Sequence, residues 1–231
     1  MNLQQQYEDD FAMTQQFAIV TFMNKVYAWL TVGLMITALT AFGINAMQVP
    51  VNPAMLVISG LGGLGLVFFL SFTAQRLPTA MVVGGYLLFA FLKGVFFSLI
   101  FLRYPMATIS MTFFVTGGLF GFMAIFGTVT KKDLSGVGAM CFIGLIGILL
   151  AILAQFVLGM FGVQTGQFNL LISIVGVIVF IGLTAYDAQK IKQMSAAGET
   201  STNLAIVGAL MLYLDFINLF LFLLRIFGSR D

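Results

Sequence analysis

Two aspartates lie within long apolar stretches, where ionisable side chains are rare. Asp187 is near the end of the apolar window at 169–191, and Asp215 is about 12 residues into the window at 203–227. A charge at the centre of a bilayer costs about 2.5–3.5 kcal/mol on insertion scales. Such a side chain therefore faces protein or water rather than lipid, and a functional role is its default interpretation.

The two carboxyl groups would share one proton if they met. The short connection between their windows predicts antiparallel neighbouring helices, with an offset of roughly 5–8 Å between the two aspartates along the helix axes. Spacing alone does not establish the contact. Two carboxylates in a low-dielectric site do not both ionise easily, so the pair would titrate as a unit. Loss of the shared proton would push the helices apart, attract a cation or recruit an arginine.

Two other polar residues inside apolar windows are candidates for the site. Lys93 lies near the middle of the window at 80–102, where structural pairing with a carboxylate and a role in transport are equally compatible with its position. Asn218 follows Asp215 by three residues and shares its helical face, which makes it a candidate auxiliary residue.

The elements that position these residues follow from the composition. Of the 231 residues, 61% are hydrophobic and 8% are charged, whereas a soluble domain is about one quarter charged. Each membrane-spanning helix needs about 20 apolar residues. The chain is therefore predicted to be an all-α polytopic membrane protein, a bundle of seven transmembrane helices surrounded by the lipid bilayer. The predicted windows are 25–47, 54–73, 80–102, 107–129, 136–161, 169–191 and 203–227.

The domain organisation is predicted to be simple. Residues 1–24 form a polar, interfacial amino-terminal segment, and residues 25–231 form a single transmembrane domain. The acidic start does not resemble the basic start of a secretory signal. The seventh window is the least regular because Asp215 interrupts it. A central position inside the bundle would explain how this helix tolerates the aspartate.

Residue usage excludes several functions. Histidine is absent, which removes the commonest metal ligand and the usual base for a serine or cysteine nucleophile. The net charge of +2 and the absence of a basic cluster larger than Lys131-Lys132 argue against a nucleic-acid partner. Cys141 lies in an apolar run, where a thiol behaves as a small hydrophobe. An aspartyl intramembrane enzyme is a third possibility, in which Asp187 and Asp215 flank a water, but the glycine-rich signature of aspartyl intramembrane proteases accompanies neither aspartate. We expect neither enzymatic activity nor a bound cofactor.

Glycine patterns in two windows have a packing interpretation. Gly60, Gly62 and Gly65 match the spacing of a dinucleotide-binding loop, but they lie in the middle of an apolar span with no preceding strand. Gly117 and Gly121 form a G-x-x-x-G pair. Both patterns predict close approach between helix backbones.

The segments around both aspartates resemble the Bax inhibitor-1 family. Residues 185–191 (Ala-Tyr-Asp-Ala-Gln-Lys-Ile) are similar to the family's Tyr-Asp-x-Gln-x-Ile signature at the end of the sixth span. Residues 212–220 and 224–228 resemble its last helix. The number of spans, the chain length and the loop at 131–134 also fit, and the short ends resemble the bacterial branch.

The resemblance implies a fold and a mechanism. The family's last helix is central and is wrapped by the other six. Its bacterial members are described as pH-sensitive calcium leak channels with a paired-aspartate sensor, onto which an arginine of the second helix latches in the closed state. By position, the sensor is Asp187 with Asp215, and the latch is Arg76, which stands alone before Leu77-Pro78. Lys93 has no counterpart in the family pattern.

Two functional hypotheses follow. The leading one is a passive, proton-gated leak for Ca²⁺ or another cation, with Asp187 and Asp215 as gate and transient cation site. The alternative is a non-conducting regulator that binds membrane proteins such as a membrane protease or stress and cell-death factors. Cation flux through purified protein in liposomes discriminates between them. Under either hypothesis, the resemblance implies a multi-pass protein of the bacterial inner membrane.

Overall fold

The computed structural model describes residues 3–162, 166–198 and 200–228, and these residues form helices joined by short turns. Seven of the described helical segments are long and apolar enough to cross a membrane. The all-α polytopic prediction is therefore confirmed. The helices are α1 (Leu3–Ala46), α2 (Pro53–Thr73), α3 (Thr79–Phe97), α4 (Ile100–Arg103), α5 (Met106–Val129), α6 (Ser135–Met160), α7 (Gly166–Ala196) and α8 (Thr202–Gly228).

The helix boundaries agree with the turn chemistry of the sequence. Asn52 precedes α2, and its side-chain oxygen accepts a hydrogen bond from the Met55 backbone N–H at 2.8 Å. Pro53 occupies the first position of that helix, where its missing N–H costs nothing. A 3₁₀ turn, Ala74–Arg76, follows α2. The short helix α4 extends the third span to Arg103.

The first helix is longer than its apolar window. α1 is continuous from Leu3, and the part that is apolar enough to span a membrane begins at Met13. No glycine or proline occurs before Gly33, so nothing in this stretch ends a helix. The polar segment predicted at 1–24 and the first span therefore share one helix over the described residues.

The last helix is the most buried of the spans. Within its most apolar window, 67% of the α8 residues are buried, whereas the other spans range from 11% to 44%. A central helix requires this degree of burial, because its whole circumference packs against protein. The prediction that α8 tolerates Asp215 by avoiding lipid is confirmed, since that side chain is only 4% exposed.

The described residues fall into two compact units. The first comprises the chain up to Arg103 together with Ile191–Tyr213. In this unit Tyr213 of α8 stacks edge-on against Phe89 of α3, with ring centroids 5.0 Å apart. The Thr37 hydroxyl of α1 donates to the Ala90 carbonyl at 2.9 Å, and it lies 2.8 Å from the Tyr213 hydroxyl. Because Thr37 has only one proton to donate, Tyr213 is the donor of the second bond.

We expect Tyr213→Phe to lower the free energy of unfolding by about 1 kcal/mol, the usual contribution of one hydrogen bond. Thr37→Val should cost more, because it leaves the buried Tyr213 hydroxyl without a partner and also removes the additional hydrogen bond to the Ala90 carbonyl. Thermal unfolding of the purified variants in one detergent measures both effects. Equal stability of both variants and the parent would show that this hydroxyl chain contributes nothing.

The second unit comprises Tyr104–Lys190 and the chain from Leu214 onward. Phe216 of α8 packs edge-on against Phe113 and Phe120 of α5, at centroid distances of 5.5 and 5.4 Å. Phe222 packs against Phe180 of α7 at 5.8 Å. These aromatic contacts fix the part of α8 that carries Asp215.

The two glycine patterns differ in how closely they approach a neighbouring helix. A Cβ atom built on Gly60 or Gly62 would lie 3.3 Å from a side chain of α3, so both glycines permit close packing of α2 against α3, as predicted. A Cβ on Gly65, Gly117 or Gly121 would meet nothing within 4 Å among the described residues. The packing interpretation was therefore wrong for the Gly117–Gly121 pair, because that face of α5 has no neighbour at this distance.

Candidate functional site

The carboxyl groups of Asp187 on α7 and Asp215 on α8 lie within hydrogen-bonding reach of each other. Ionised carboxylates only accept hydrogen bonds, so a hydrogen bond between them requires a proton on one of them. Asp215 is buried and Asp187 is half-buried. Within the described part of the chain, the second oxygen of Asp215, Oδ2, has no hydrogen-bond partner. The structure therefore brings together the two predicted sensor residues, which belong to the same unit.

A cation and a thiol border the pair. Lys190 lies on α7 and acts electrostatically on Asp187. Its ammonium group is 5.9 Å from the centroid of the Tyr186 ring. Cys141 of α6 acts electrostatically with Asp215. The pair thus has basic and polarisable neighbours on α7 and α6.

Two glycines hold the α7 turn that carries Asp187. A Cβ on Gly127 of α5 would overlap the Ala185 carbonyl oxygen, so the two backbones are in direct contact there. A Cβ on Gly138 of α6 would lie 2.5 Å from the Tyr186 ring. Only glycine allows both approaches. The α7 turn immediately before Asp187 therefore packs closely against both α5 and α6.

Gln189 attaches the same turn to the loop between α5 and α6. Its side-chain oxygen accepts the Leu134 backbone N–H at 2.8 Å, and its side-chain nitrogen donates to the Lys132 carbonyl at 2.8 Å. Gln189 is 7% exposed. Gln189 belongs to the signature at 185–191, but no role was predicted for it from the sequence. A role could have been predicted from the position of Gln189, because an amide at the end of an apolar span is expected to be buried, and a buried amide must be hydrogen-bonded.

The loop between α5 and α6 is also held by hydrogen bonds among its own residues. The Asp133 carboxylate accepts the Ser135 hydroxyl at 2.7 Å and the Ser135 backbone N–H at 2.9 Å. Both hydrogen bonds lower the pKa of Asp133, and the bond from the Ser135 hydroxyl has the larger effect. The Thr130 hydroxyl accepts the Lys132 N–H at 3.3 Å. The first backbone N–H of α6, that of Ser135, is therefore satisfied from within the loop.

The other predicted site residues are placed as follows. Arg76 is exposed at the end of the 3₁₀ turn and belongs to the first unit, so its role as a latch stays a prediction. The Lys93 ammonium lies 5.8 Å and 6.0 Å from the ring centroids of Phe89 and Phe96. No ion pair with a carboxylate is present for Lys93 among the described residues. Asn218 donates to the Leu214 carbonyl of its own helix at 2.7 Å.

Metal-binding side chains are sparse in the described part of the chain. Among the described residues, no cluster of three or more carboxylate, cysteine or histidine side chains could hold a metal ion. Ca²⁺ usually takes six to eight oxygen ligands. The two carboxylates of Asp187 and Asp215 alone fall short of this number of ligands.

These features define a polytopic membrane protein whose last two spans bring two carboxyl groups into contact. The family described as inhibitor of apoptosis-promoting Bax1 matches residues 19–231, and the chain belongs to this family. It is 43% identical to the inner membrane protein YbhL of Escherichia coli K12, over 96% of this chain and 97% of the relative.

Two further relatives come from distant bacteria. An uncharacterized protein of Deinococcus radiodurans is 40% identical over 95% of this chain and 96% of its own length. An uncharacterized membrane protein of Streptococcus pyogenes is 34% identical over 97% and 96%. With its seven spans and its inner-membrane relative, the chain is a multi-pass protein of the bacterial inner membrane.

Proposed function

We propose that this protein is a pH-sensitive leak for cations, with Ca²⁺ as the transported ion, and that Asp187 and Asp215 are its proton sensor and gate. The observation that carries the proposal is the close approach of the two carboxyl groups. Two carboxyl groups within hydrogen-bonding reach can share one proton, and the charge of the pair changes when that proton leaves. It requires no enzymatic step and no resident cofactor.

Carboxylate chemistry supports a cation as the permeant species. Oxygen ligands with negative charge suit a hard divalent ion. Conduction requires binding that is favourable enough to admit the ion and weak enough to release it. A site of two carboxylates meets both requirements.

The resemblance to pH-sensitive relatives supplies the direction of gating. A guanidinium stays charged at every physiological pH, so only the charge of the aspartate pair changes. The doubly charged pair attracts Arg76 most strongly and is latched closed. Sharing a proton removes one negative charge and weakens the latch. The leak should therefore increase as the pH falls.

We expect Arg76→Gln to keep the leak high at alkaline pH, because the latch loses its charge. Ca²⁺ entry into dye-loaded proteoliposomes, measured between about pH 6 and pH 8, should fall in the parent as the pH rises. At the alkaline end the variant should exceed the parent about tenfold, which corresponds to 1.4 kcal/mol of latch energy.

Arg103→Gln is the matched control, because Arg103 is also an exposed arginine at the end of a span in the first unit. It should follow the parent at every pH. If Ca²⁺ entry through Arg76→Gln depended on pH in the same way as entry through the parent and Arg103→Gln, the latch would be refuted. No Ca²⁺ entry at any pH through protein shown to be folded would refute the leak itself.

The second candidate is a non-conducting regulator of another membrane protein. The family's description names the inhibition of another protein, Bax1, rather than transport, and this observation favours the candidate. In that case the aspartate pair would set the conformation recognised by the partner. Folded protein without flux, but with a conformation that depends on pH, is the result that this function predicts.

A further inference from the structure

A polar cavity lies beside the turn between α2 and α3, within the first unit. Its volume is about 610 Å³. It is lined by residues of that turn and by residues around the start of α8, among them Gln75, Thr79, Gly198, Thr200, Ser201 and Asn203. These residues stand at the ends of membrane spans or in the connections between them. The cavity therefore lies at the depth of the lipid headgroups rather than of the acyl chains.

Asn203 joins this cavity to the turn that carries Arg76. Its side-chain nitrogen donates to the Ala74 carbonyl and to the Leu77 carbonyl, each at 2.8 Å. Both protons of the amide are used, so Oδ1 is the acceptor that remains. Asn203 is 9% exposed, and its Oδ1 has no hydrogen-bond partner within the described part of the chain. A buried acceptor of this kind at a cavity wall points to a donor that enters the cavity.

Two helices begin at the cavity, and the first backbone N–H groups of a helix have no partners within that helix. At the start of α3 the preceding residue is Pro78, and no side chain caps the helix. At the start of α8 the Ser201 hydroxyl accepts the Leu204 N–H at 3.2 Å, which leaves the N–H groups ahead of Leu204 to other partners. Free N–H groups at a helix start bind anions such as phosphate.

The end of α7 opposes an anion less than its position suggests, because several of its carbonyl groups are engaged. The Ser195 carbonyl accepts the Gly198 N–H at 3.0 Å. The Ala196 carbonyl accepts the Gln15 side-chain amide at 3.2 Å. Arg76, next to the cavity residue Gln75 in the chain, is exposed and adds a positive charge to the turn. The balance of charge and donors therefore favours an anionic group.

We propose that this cavity binds a phosphate group that carries a hydrogen-bond donor beside it. The phosphate oxygens accept from the starts of α3 and α8, and the donor bonds to Asn203 Oδ1. A phospholipid headgroup with an ammonium or hydroxyl group has this chemistry, and so does inorganic phosphate, which keeps a bound proton at neutral pH. The site does not involve the aspartate pair, and it does not depend on the proposed leak.

Two phospholipids of equal charge test the donor. Delipidated full-length protein in a detergent without phosphate is mixed with phosphatidylethanolamine, whose ammonium donates, or with phosphatidylcholine, whose quaternary nitrogen carries no proton. A ligand that binds the folded protein raises the thermal midpoint. We expect phosphatidylethanolamine to reach half of its maximal shift at a concentration about fivefold lower, the usual effect of one hydrogen bond.

Inorganic phosphate, compared with chloride at equal ionic strength, distinguishes the two sources of the phosphate group. A rise of the midpoint with inorganic phosphate would identify free phosphate as a sufficient ligand. A rise with phosphatidylethanolamine alone would identify the lipid headgroup. No rise with either probe would overturn the proposal and leave the cavity to water.

Thr79→Pro removes an N–H and a hydroxyl from the cavity wall. Proline suits the first position of a helix, and Pro78 has the extended backbone, with ψ 141°, that a following proline requires. The variant should weaken binding about tenfold, as expected for a lost hydrogen bond to a charged group. Met106→Pro is the matched control, because Met106 follows Pro105 with ψ 146° at the start of α5 in the second unit. It should keep the affinity of the parent.

Gln75→Glu serves if the proline variant fails to fold, because Gln75 is exposed and the new charge repels phosphate. Gln16→Glu, at an exposed glutamine of α1, is its charge-matched control. Parent-like binding in folded Thr79→Pro or Gln75→Glu, or equal binding of the two lipids, would overturn the site. Binding that these two variants weaken and the two controls keep would support the site, even in protein without Ca²⁺ entry, so failure of the leak and failure of the site are distinguishable.

Discussion

Asp215→Asn should give Ca²⁺ entry that no longer depends on pH. The amide can still hydrogen-bond to Asp187, but the pair can no longer alternate between one and two negative charges. The charge that attracts the latch is lost, so we expect entry at about pH 8 to rise to the parent's level at about pH 6. Dye-loaded proteoliposomes, with the protein content of each preparation matched, measure this ratio directly.

Asp187→Asn should have the same effect, because the pair titrates as a unit. Asp10→Asn removes one carboxylate from the stretch ahead of the first span and is the charge-matched control, which should retain the parent's pH dependence. A parent-like slope in both Asp215→Asn and Asp187→Asn would place the proton sensor elsewhere in the molecule.

Gly127→Ala should be the most destabilising of the glycine substitutions in the second unit. The added methyl group would overlap the Ala185 carbonyl oxygen, and a backbone atom cannot rotate away as a side chain can. Overpacking of this kind costs about 1–3 kcal/mol. At the upper end, the thermal midpoint of a chain of this size falls by about 6–12 °C. Size-exclusion profiles after stepwise heating in detergent provide the midpoint.

Gly121→Ala is the control on the same helix. A methyl group at Gly121 meets nothing within 4 Å, and alanine is favoured over glycine in a helix by about 0.5–1 kcal/mol. Its midpoint should equal or slightly exceed that of the parent. If Gly127→Ala melted at the same temperature as Gly121→Ala, α5 and α7 would not be in close contact at this level in the membrane.

Hydropathy was sufficient to predict the spans. The observed helices begin and end close to the apolar windows, because proline, asparagine and charged residues stand at nearly every break. α1 is the exception, since its polar start contains no residue that ends a helix. That both aspartates avoid lipid was also predictable, because an ionisable residue inside an apolar window must face protein or water. Their contact was not predictable from spacing alone and followed only from the family resemblance.

The sequence could not reveal which face of each helix meets protein. The G-x-x-x-G pattern at Gly117 and Gly121 predicted a contact, yet that face meets no neighbour within 4 Å, whereas the isolated Gly127 touches a backbone. The partners of Gln189 are backbone groups more than 50 positions away in the chain. Hydropathy is a property of side chains, so it carries no information about which backbone groups a side chain will bond.

The burial of α8 also constrains the order in which the protein is made. α8 follows all its packing partners in the chain, so the helices that shelter Asp215, Asn218 and Arg225 leave the ribosome before it does. Its polar side chains are costly in lipid and become acceptable only when those partners are already inserted. A nascent chain that stops before α8 would leave the helix faces that pack against α8 exposed to lipid.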